Sequence, residues 1–398
     1  MGAPVQADDL YFSPNKLAPH YTAFRVADRL LLTGHSHQAW PDSARDGQLR
    51  AWEDAAELVD EKWERAFAMA DRVRRGFATL LADPGGEYAL AQNTHDLLLR
   101  FLSALPLRER PRLVTTDGEF NTIRRQLDRL GEEGISIVKV ASDPAGTVAE
   151  RLAAAIDDRT AAVLVSAVFF QSGQLVPALG SIAEACARHG AEFLIDAYHA
   201  LGVVPFPLEA QGLARAFVTG GGYKYCQLGE GNCFLRIPPG RNFRPVITGW
   251  FSEFSALADP RPNAVAYGPG ADSFAGSTYE PTSHYRAAAV FDFFDREALT
   301  PAFLREVSQH QVGRLRDRFD ALDLDPAVVT RDQVPLERLA GFLALRAPRA
   351  AELCQGLRDR GVLTDSRGDA LRFGPAPYLS DAQLDAAMAI LKEVVWAS

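Results

Sequence analysis

Glu192-Phe193-Leu194-Ile195-Asp196-Ala197-Tyr198-His199 drives a short apolar run straight into a carboxylate. An unbroken apolar run of this length, without polar alternation, reads as a strand buried on both faces. A carboxylate at its end needs a cationic partner. Downstream, Thr219-Gly220-Gly221-Gly222-Tyr223-Lys224-Tyr225 places a lysine directly after a glycine turn expected to be flexible. In open α/β sheets ligands bind beyond the carboxyl ends of the strands, so polar residues at those ends are the ones to inspect.

Outward from this stretch, residues 87–237 alternate short β-branched or apolar runs with longer segments of helical period, which predicts βαβ units. The predicted strands are 88–92, 112–116, 136–140, 161–168, 192–196, 216–219 and 232–237. Between them, 176–188 repeats Leu179, Ile182, Ala183, Cys186 and Ala187 at helical steps. Ahead of the sheet, 52–81 reads as one long amphipathic helix with Val59, Trp63, Phe67, Ala70, Val73, Phe77 and Leu80 on one face. After a Pro/Gly/Ala/Ser-rich stretch at 255–283, Thr300-Pro301 opens a helix as N-cap and first-turn proline. Ser380 with Gln383 predicts a capping box, and 341–346 and 370–374 are strands of a second domain. The expected fold is α/β: a seven-stranded, mostly parallel sheet flanked by helices plus a smaller α+β C-terminal domain. Its expected divisions are an N-terminal arm (1–50) joining the small domain, a large domain (51–255), a linker and phosphate loop (256–282) and a small domain (283–398).

A composition of 47% hydrophobic and 23% charged residues fits a globular chain. The net charge of -9 opposes a phosphate backbone and no basic, aromatic-interleaved track occurs, so nucleic acid is excluded as a partner. Cys186, Cys226, Cys233 and Cys354 form no C-x-x-C pair, and no metal set is read from them. No apolar stretch reaches membrane-spanning length and no signal-like segment opens the chain. The expectation is a cytoplasmic protein with reduced thiols and no membrane contact.

Four strand ends carry the chemistry. Lys224, partly desolvated, suits an amine nucleophile. Gln92-Asn93-Thr94-His95 lies between a strand and a helix, where free N–H groups and a hydroxyl suit a phosphate. Glu119-Phe120-Asn121-Thr122 offers a ring to stack on a flat group, and Asp196 a carboxylate for a ring nitrogen. Together these are the parts that hold pyridoxal 5'-phosphate.

In order and spacing these motifs resemble the class V aminotransferase family of fold-type I pyridoxal-phosphate enzymes, and within it the kynureninases. Asp196-x-x-His199 is similar to the family's Asp-x-Ala-His. Tyr223-Lys224-Tyr225, Gly249-Trp250-Phe251 and Leu371-Arg372-Phe373-Gly374-Pro375-Ala376-Pro377-Tyr378 are similar to kynureninase segments. The resemblance implies that Lys224 carries the cofactor as a Schiff base and shuttles a proton at the substrate Cα. It implies that Asp196 pairs with the pyridinium, Phe120 stacks on the ring, and Asn93, Thr94, His95, His199 and Tyr223 complete the cofactor site. Tyr223 is the expected acid/base and Arg372 the clamp on the substrate carboxylate, with His35 and Tyr198 beside the substrate. Trp250 and Ser277 or Thr278 are implied to reach the phosphate from the neighbouring subunit of a homodimer.

The departures cluster where the substrate side chain belongs. Asp196-Ala197-Tyr198-His199 brings a phenol beside the cofactor, Phe120-Asn121-Thr122-Ile123 lacks the kynureninase carboxylate, and Phe169-Phe170-Gln171-Ser172-Gly173, Gly276-Ser277-Thr278 and Gly34-His35-Ser36-His37-Gln38 also differ. The reaction is therefore expected to be kynureninase-like hydrolytic Cβ–Cγ cleavage of an amino acid, with class V transamination or another β-lyase reaction as alternatives. A cysteine desulfurase needs a loop thiol, and residues 361–369 have none. A serine hydrolase is the remote alternative, because Gly34-His35-Ser36-His37-Gln38 misses the G-x-S-x-G elbow at its last position. No G-x-G-x-x-G supports a nicotinamide enzyme.

Overall fold

Strands and helices alternate from Glu87 to Asp196, and two further strands follow without helices between them, in a computed structural model that describes residues 5–257 and 264–397. Residues 1–4 of the expected arm, 258–263 of the expected linker and Ser398 lie outside the described residues. In chain order the elements are β1 (Leu30–Leu31), α1 (Asp42–Leu58), α2 (Lys62–Leu80), β2 (Glu87–Ala91), α3 (Thr94–Ser103), β3 (Arg112–Thr116), α4 (Asn121–Glu132), β4 (Ser136–Val140), α5 (Val148–Ala155), β5 (Thr160–Ser166), α6 (Leu179–His189), β6 (Glu192–Asp196), β7 (Phe217–Gly221) and β8 (Cys233–Ile237). There follow α7 (Thr282–Arg296), α8 (Pro301–Asp320), β9 (Leu343–Arg346), α9 (Ala350–Arg358), β10 (Val362–Leu363), β11 (Asp365–Arg367), β12 (Ala370–Phe373) and α10 (Asp381–Ala397).

The central sheet has seven strands in the order β2-β8-β7-β6-β5-β3-β4. β8 runs antiparallel to both its neighbours and the other pairs are parallel. Both faces are covered, which explains the unbroken apolar runs. Leu194 and Leu164 point into one core with Leu97, Phe101, Ile123 and Leu127 of α3 and α4. Ile195 and Val165 point into the other with Val148, Leu179, Ile182 and Phe77 of α5, α6 and α2. Successive side chains alternate between these two layers as the pleat requires.

C-terminal to α7, β11-β12-β9 form an antiparallel sheet, and β1 of the N-terminal segment pairs in parallel with β10. The segment is also clasped by side chains. Asn15 Nδ2 donates to the Pro377 carbonyl at 2.9 Å, and the Ala39 N–H donates to Tyr378 Oη at 2.9 Å. These bonds tie the segment from Asn15 to Ala39 to the residues that follow β12, the strand that carries Arg372.

The helix predicted over 52–81 is instead two helices, α1 and α2, separated at Val59, whose φ is 52°. Both pack on α7, which one straight helix of that length does not do. Asp54 closes the corner, paired with Arg65 and accepting the Tyr285 hydroxyl at 2.7 Å. The capping box at Ser380 is half formed: its N–H donates to Gln383 Oε1 at 2.9 Å, while its hydroxyl turns to the same oxygen. β5 stops at Ser166, two residues before the predicted end: the Ala167 N–H makes the last ladder bond, to the Asp196 carbonyl, and Val168 pairs instead with Leu175. Among the described residues no helix is long and apolar enough to cross a membrane.

The α2–α7 contact depends on Gly76, where an added Cβ lies 2.3 Å from the Phe291 ring. Gly76→Ala gains up to ~1 kcal/mol of helix propensity and loses about 1–3 kcal/mol to overpacking. A net destabilisation of about 1–2 kcal/mol is expected in urea unfolding. An unchanged or higher midpoint contradicts the tight packing.

Candidate active site

A cleft of about 530 Å³ opens at the carboxyl edge of the sheet, lined by Asn93, Thr94, His95, Phe120, Ser166, Phe170, Asp196, Tyr198, His199, Tyr223, Lys224 and Cys233 among others. Register brings three of the strand ends together. Ser166 of β5 lies opposite Asp196 of β6, which lies opposite Thr219 of β7.

Lys224 sits in the turn that leaves β7, and the glycines before it are buried and packed rather than flexible. A Cβ on Gly221 lies 2.0 Å from Tyr198 Oη, and one on Gly222 lies 2.4 Å from Leu228 Cδ1. Lys224 is 7% exposed, and its Nζ is 2.6 Å from His199 Nε2. Its amine lies 5.6 Å from the centre of the Phe120 ring, 5.0 Å from that of Tyr198 and 5.9 Å from that of Tyr223. Burial lowers its pKa to about 7, with Asp196 opposing the shift and Arg372 adding to it. Burial likewise raises the Asp196 carboxyl, which is steadied by the Tyr198 N–H at 2.9 Å and by Lys224. Lys224 and Asp196 are thus an amine and a carboxylate sharing one buried cleft.

At the other end, Asn93 caps α3 by accepting the Asp96 N–H at 2.9 Å, leaving first-turn N–H groups at the cleft. Thr94 Oγ1 is buried there and makes no hydrogen bond. Helix N-termini with a spare hydroxyl suit a phosphate. Tyr223 stacks on His37 at 4.9 Å, and burial pushes its hydroxyl up to about 12. Tyr198 is anchored by its hydroxyl 3.0 Å from Cys233 Sγ, so its ring folds over Gly221. His199 Nδ1 is buried without a partner. An amine, a buried carboxylate, a stacking ring, a free hydroxyl and a helix N-terminus fit the pyridoxal phosphate expected there.

Arg372, on β12, stands behind the cleft wall, where its Nη1 donates to the carbonyl of the lining residue Phe170. Asp365 on β11, its register partner across the hairpin, holds the guanidinium on two oxygens, with Nε to Oδ1 at 2.8 Å. His35 is fully buried, with Nε2 2.7 Å from Asp365 Oδ1. It stands behind Arg372, and neither residue lines the cleft. Burial lowers the His35 pKa to about 4 despite that bond. Burial alone raises the Asp365 carboxyl, yet the His35 bond and Arg372 hold it well below the usual carboxylate range. Sequence reading passed over Asp365 because no local pattern shows that a hairpin folds it onto Arg372. It also gave no role to Glu119, buried beside the cleft.

Trp250, Ser277 and Thr278 are placed away from the Lys224 cleft. Ser277 and Thr278 are exposed and line a second cavity of about 750 Å³, which meets the first at Gln92. Trp250 is 44% exposed among Phe251 and Phe254.

A lysine whose folded pKa falls from 10.5 to about 7 binds fewer protons than in the unfolded chain between those values. Stability due to Lys224 therefore rises with pH across that window. Cofactor-free Lys224→Met is expected to exceed the wild type in melting temperature at pH 7, with the gap closing towards pH 10. A gap that stays constant speaks against a buried, neutral amine.

A model of the kynureninase C-terminal domain family matches residues 304–391, the segment that carries Arg372. The chain is 24% identical over 325 residues to the uncharacterized aminotransferase YcbU of Bacillus subtilis, covering 79% of this chain and 81% of that one. It is 27% identical over 325 residues to a kynureninase of Xanthomonas campestris pv. campestris, covering 77% and 75%. Its fold matches a C-DES mutant with glycine covalently linked to the PLP cofactor, at a TM-score of 0.82, 15% identity and coverage of 94% and 98%. The chain is an enzyme similar in sequence to an aminotransferase and to kynureninases over most of its length, and it has the fold of the pyridoxal-phosphate-dependent fold-type I enzymes.

Proposed function

We propose that the protein hydrolyses the Cβ–Cγ bond of kynurenine or a related amino acid with a γ-carbonyl, releasing alanine and an aromatic acid. The observation that carries this reading is an aromatic-lined cleft that holds Lys224 and whose wall residue Phe170 is bonded through its carbonyl to Arg372 of the second sheet. Pyridoxal phosphate, when bound, supplies an electron sink at the substrate Cα.

The residues divide the remaining work. Thr94, Tyr223 and the N–H groups of α3, with Asn93 and His95 alongside, would hold the phosphate. Phe120 would cover one ring face, His199 would face the ring edge, and Asp196 would keep the ring nitrogen protonated. Arg372, steadied by Asp365 and His35, would bind the substrate α-carboxylate. The Lys224 amine, neutral in part at pH 7, takes the Cα proton. Tyr223, protonated at that pH, donates to the side-chain carbonyl oxygen as water adds to Cγ. The added water supplies the hydroxyl of the new acid, its other proton ends on the alanine Cβ as the Cβ–Cγ bond breaks, and Tyr223 recovers its proton as the carbonyl of the acid re-forms. Phe120, Phe170 and Tyr198 give the side chain an aromatic surround.

Similarity to kynureninases and the C-terminal family match support hydrolysis. Transamination is the second reading, supported by similarity to YcbU and by Tyr198, which narrows the cleft beside Lys224. The working form is proposed to be a homodimer in the cytoplasm. Val246, Ile247, Trp250, Phe254 and Leu257 expose apolar surface beside Ser277 and Thr278, which would reach a partner's phosphate.

Cofactor-loaded protein mixed with L-kynurenine or 3-hydroxykynurenine is expected to release a fluorescent anthranilate and alanine in equal amounts over many turnovers. No product alongside an intact visible band redirects attention to amino-acceptor screening. Sedimentation is expected to give twice the chain mass, and a cofactor-saturated monomer removes the shared-site proposal.

A further inference from the structure

Glu119 takes part in none of the steps above, yet it is 2% exposed, deeper than Asp196 at 8%. It follows β3, and two hydroxyls hold it: Thr116 Oγ1 at 2.6 Å from Oε1 and Ser166 Oγ at 2.6 Å from Oε2. Thr116 Oγ1 already accepts the Gly118 N–H at 3.2 Å, so its own proton points to Glu119. Ser166 lines the cofactor cleft and lies opposite Asp196 in register. Glu119, bonded to Ser166, and Asp196, the register partner of Ser166, thus stand side by side along the carboxyl edge of the sheet, across the ends of β3, β5 and β6.

Among the described residues no Lys, Arg or His lies within ion-pair distance of Glu119. The charged group facing it is Asp196 on β6, and Thr116 and Ser166 supply the neutral donors. Lys224, from the turn after β7, acts on Asp196. Two neighbouring buried carboxyls do not both ionise readily, so one holds a proton. Burial, opposed by the two hydroxyls, raises Glu119 to about 7.

We propose that Glu119, held in place by Ser166, is a positioning residue for the cofactor, acting by its charge on neighbouring Asp196 and thereby on the proton affinity of the cofactor's ring nitrogen. This rests on the proposed function, in which Asp196 faces that nitrogen. When Glu119 is protonated, Asp196 is the single anion at the ring. When Glu119 ionises, a second negative charge strengthens retention of the ring proton.

The test compares wild type, Glu119→Gln and Ser166→Ala, each loaded with pyridoxal phosphate, by pH titration of the visible absorbance. Glu119→Gln is expected to lower the midpoint by on the order of one pH unit, and Ser166→Ala to lower it by less. An unchanged midpoint in both loaded variants overturns the proposal. Should Glu119→Gln fail to fold, the Ser166→Ala titration decides alone. In cofactor-free protein, Glu119 adds stability at low pH that is lost as pH rises from 4.5 through about 7. The melting-temperature difference between wild type and Glu119→Gln is therefore expected to fall across that window, and a flat difference also overturns the proposal. A wild type that shows no visible band at any pH fails before any variant is compared, and that outcome overturns the functional reading instead.

Discussion

Lys224 is 7% exposed, and an isolated ammonium at that depth is strongly unfavourable, so the groups around it must either pair with its charge or lower its basicity. The structure does both. Asp196 stands at the end of the neighbouring strand, and burial brings the amine into the neutral range. Neither condition holds without the sheet, because covered parallel strands are what aim β6 and β7 at one edge and exclude water behind it. The glycines before Lys224 serve the same end. They leave room for Tyr198 and Leu228 to pack against the backbone that presents the amine.

Arg372 raises the same problem behind the Phe170 wall of the cleft and meets a different solution. Its side chain is 4% exposed, and two oxygens of Asp365 hold it before any substrate arrives. His35 braces Asp365 from a third segment. A pre-paired guanidinium pays little reorganisation on binding a carboxylate and keeps a fixed orientation. The N-terminal segment is drawn into the site through this brace, which explains why β1 pairs with β10 and why Tyr378 receives the Ala39 N–H.

The sheet was legible because its strands are covered on both faces. The strands predicted at 112–116, 136–140 and 192–196 have those same bounds in the structure, each built around a short apolar run. Lys224, Asp196, Phe120 and Thr94 were legible as candidates for a related reason: strand ends at the carboxyl edge are where polar side chains become available to a ligand. The helix boundary at Val59 was not legible, since the apolar period continues across it and only packing on α7 makes the break. Trp250, Ser277 and Thr278 carry a motif but face away from the Lys224 cleft of their own chain.

Local pattern determined which residues form strands, which end them and which carry amine, carboxylate and aromatic chemistry, because period and burial are properties of neighbouring residues. Tertiary structure alone decided which of those groups act on one another. Glu119 meets Ser166 across 47 positions of chain and His35 meets Asp365 across 330. Such pairs are fixed by strand register and domain packing, and electrostatic coupling depends on distance and burial in space rather than on separation along the chain.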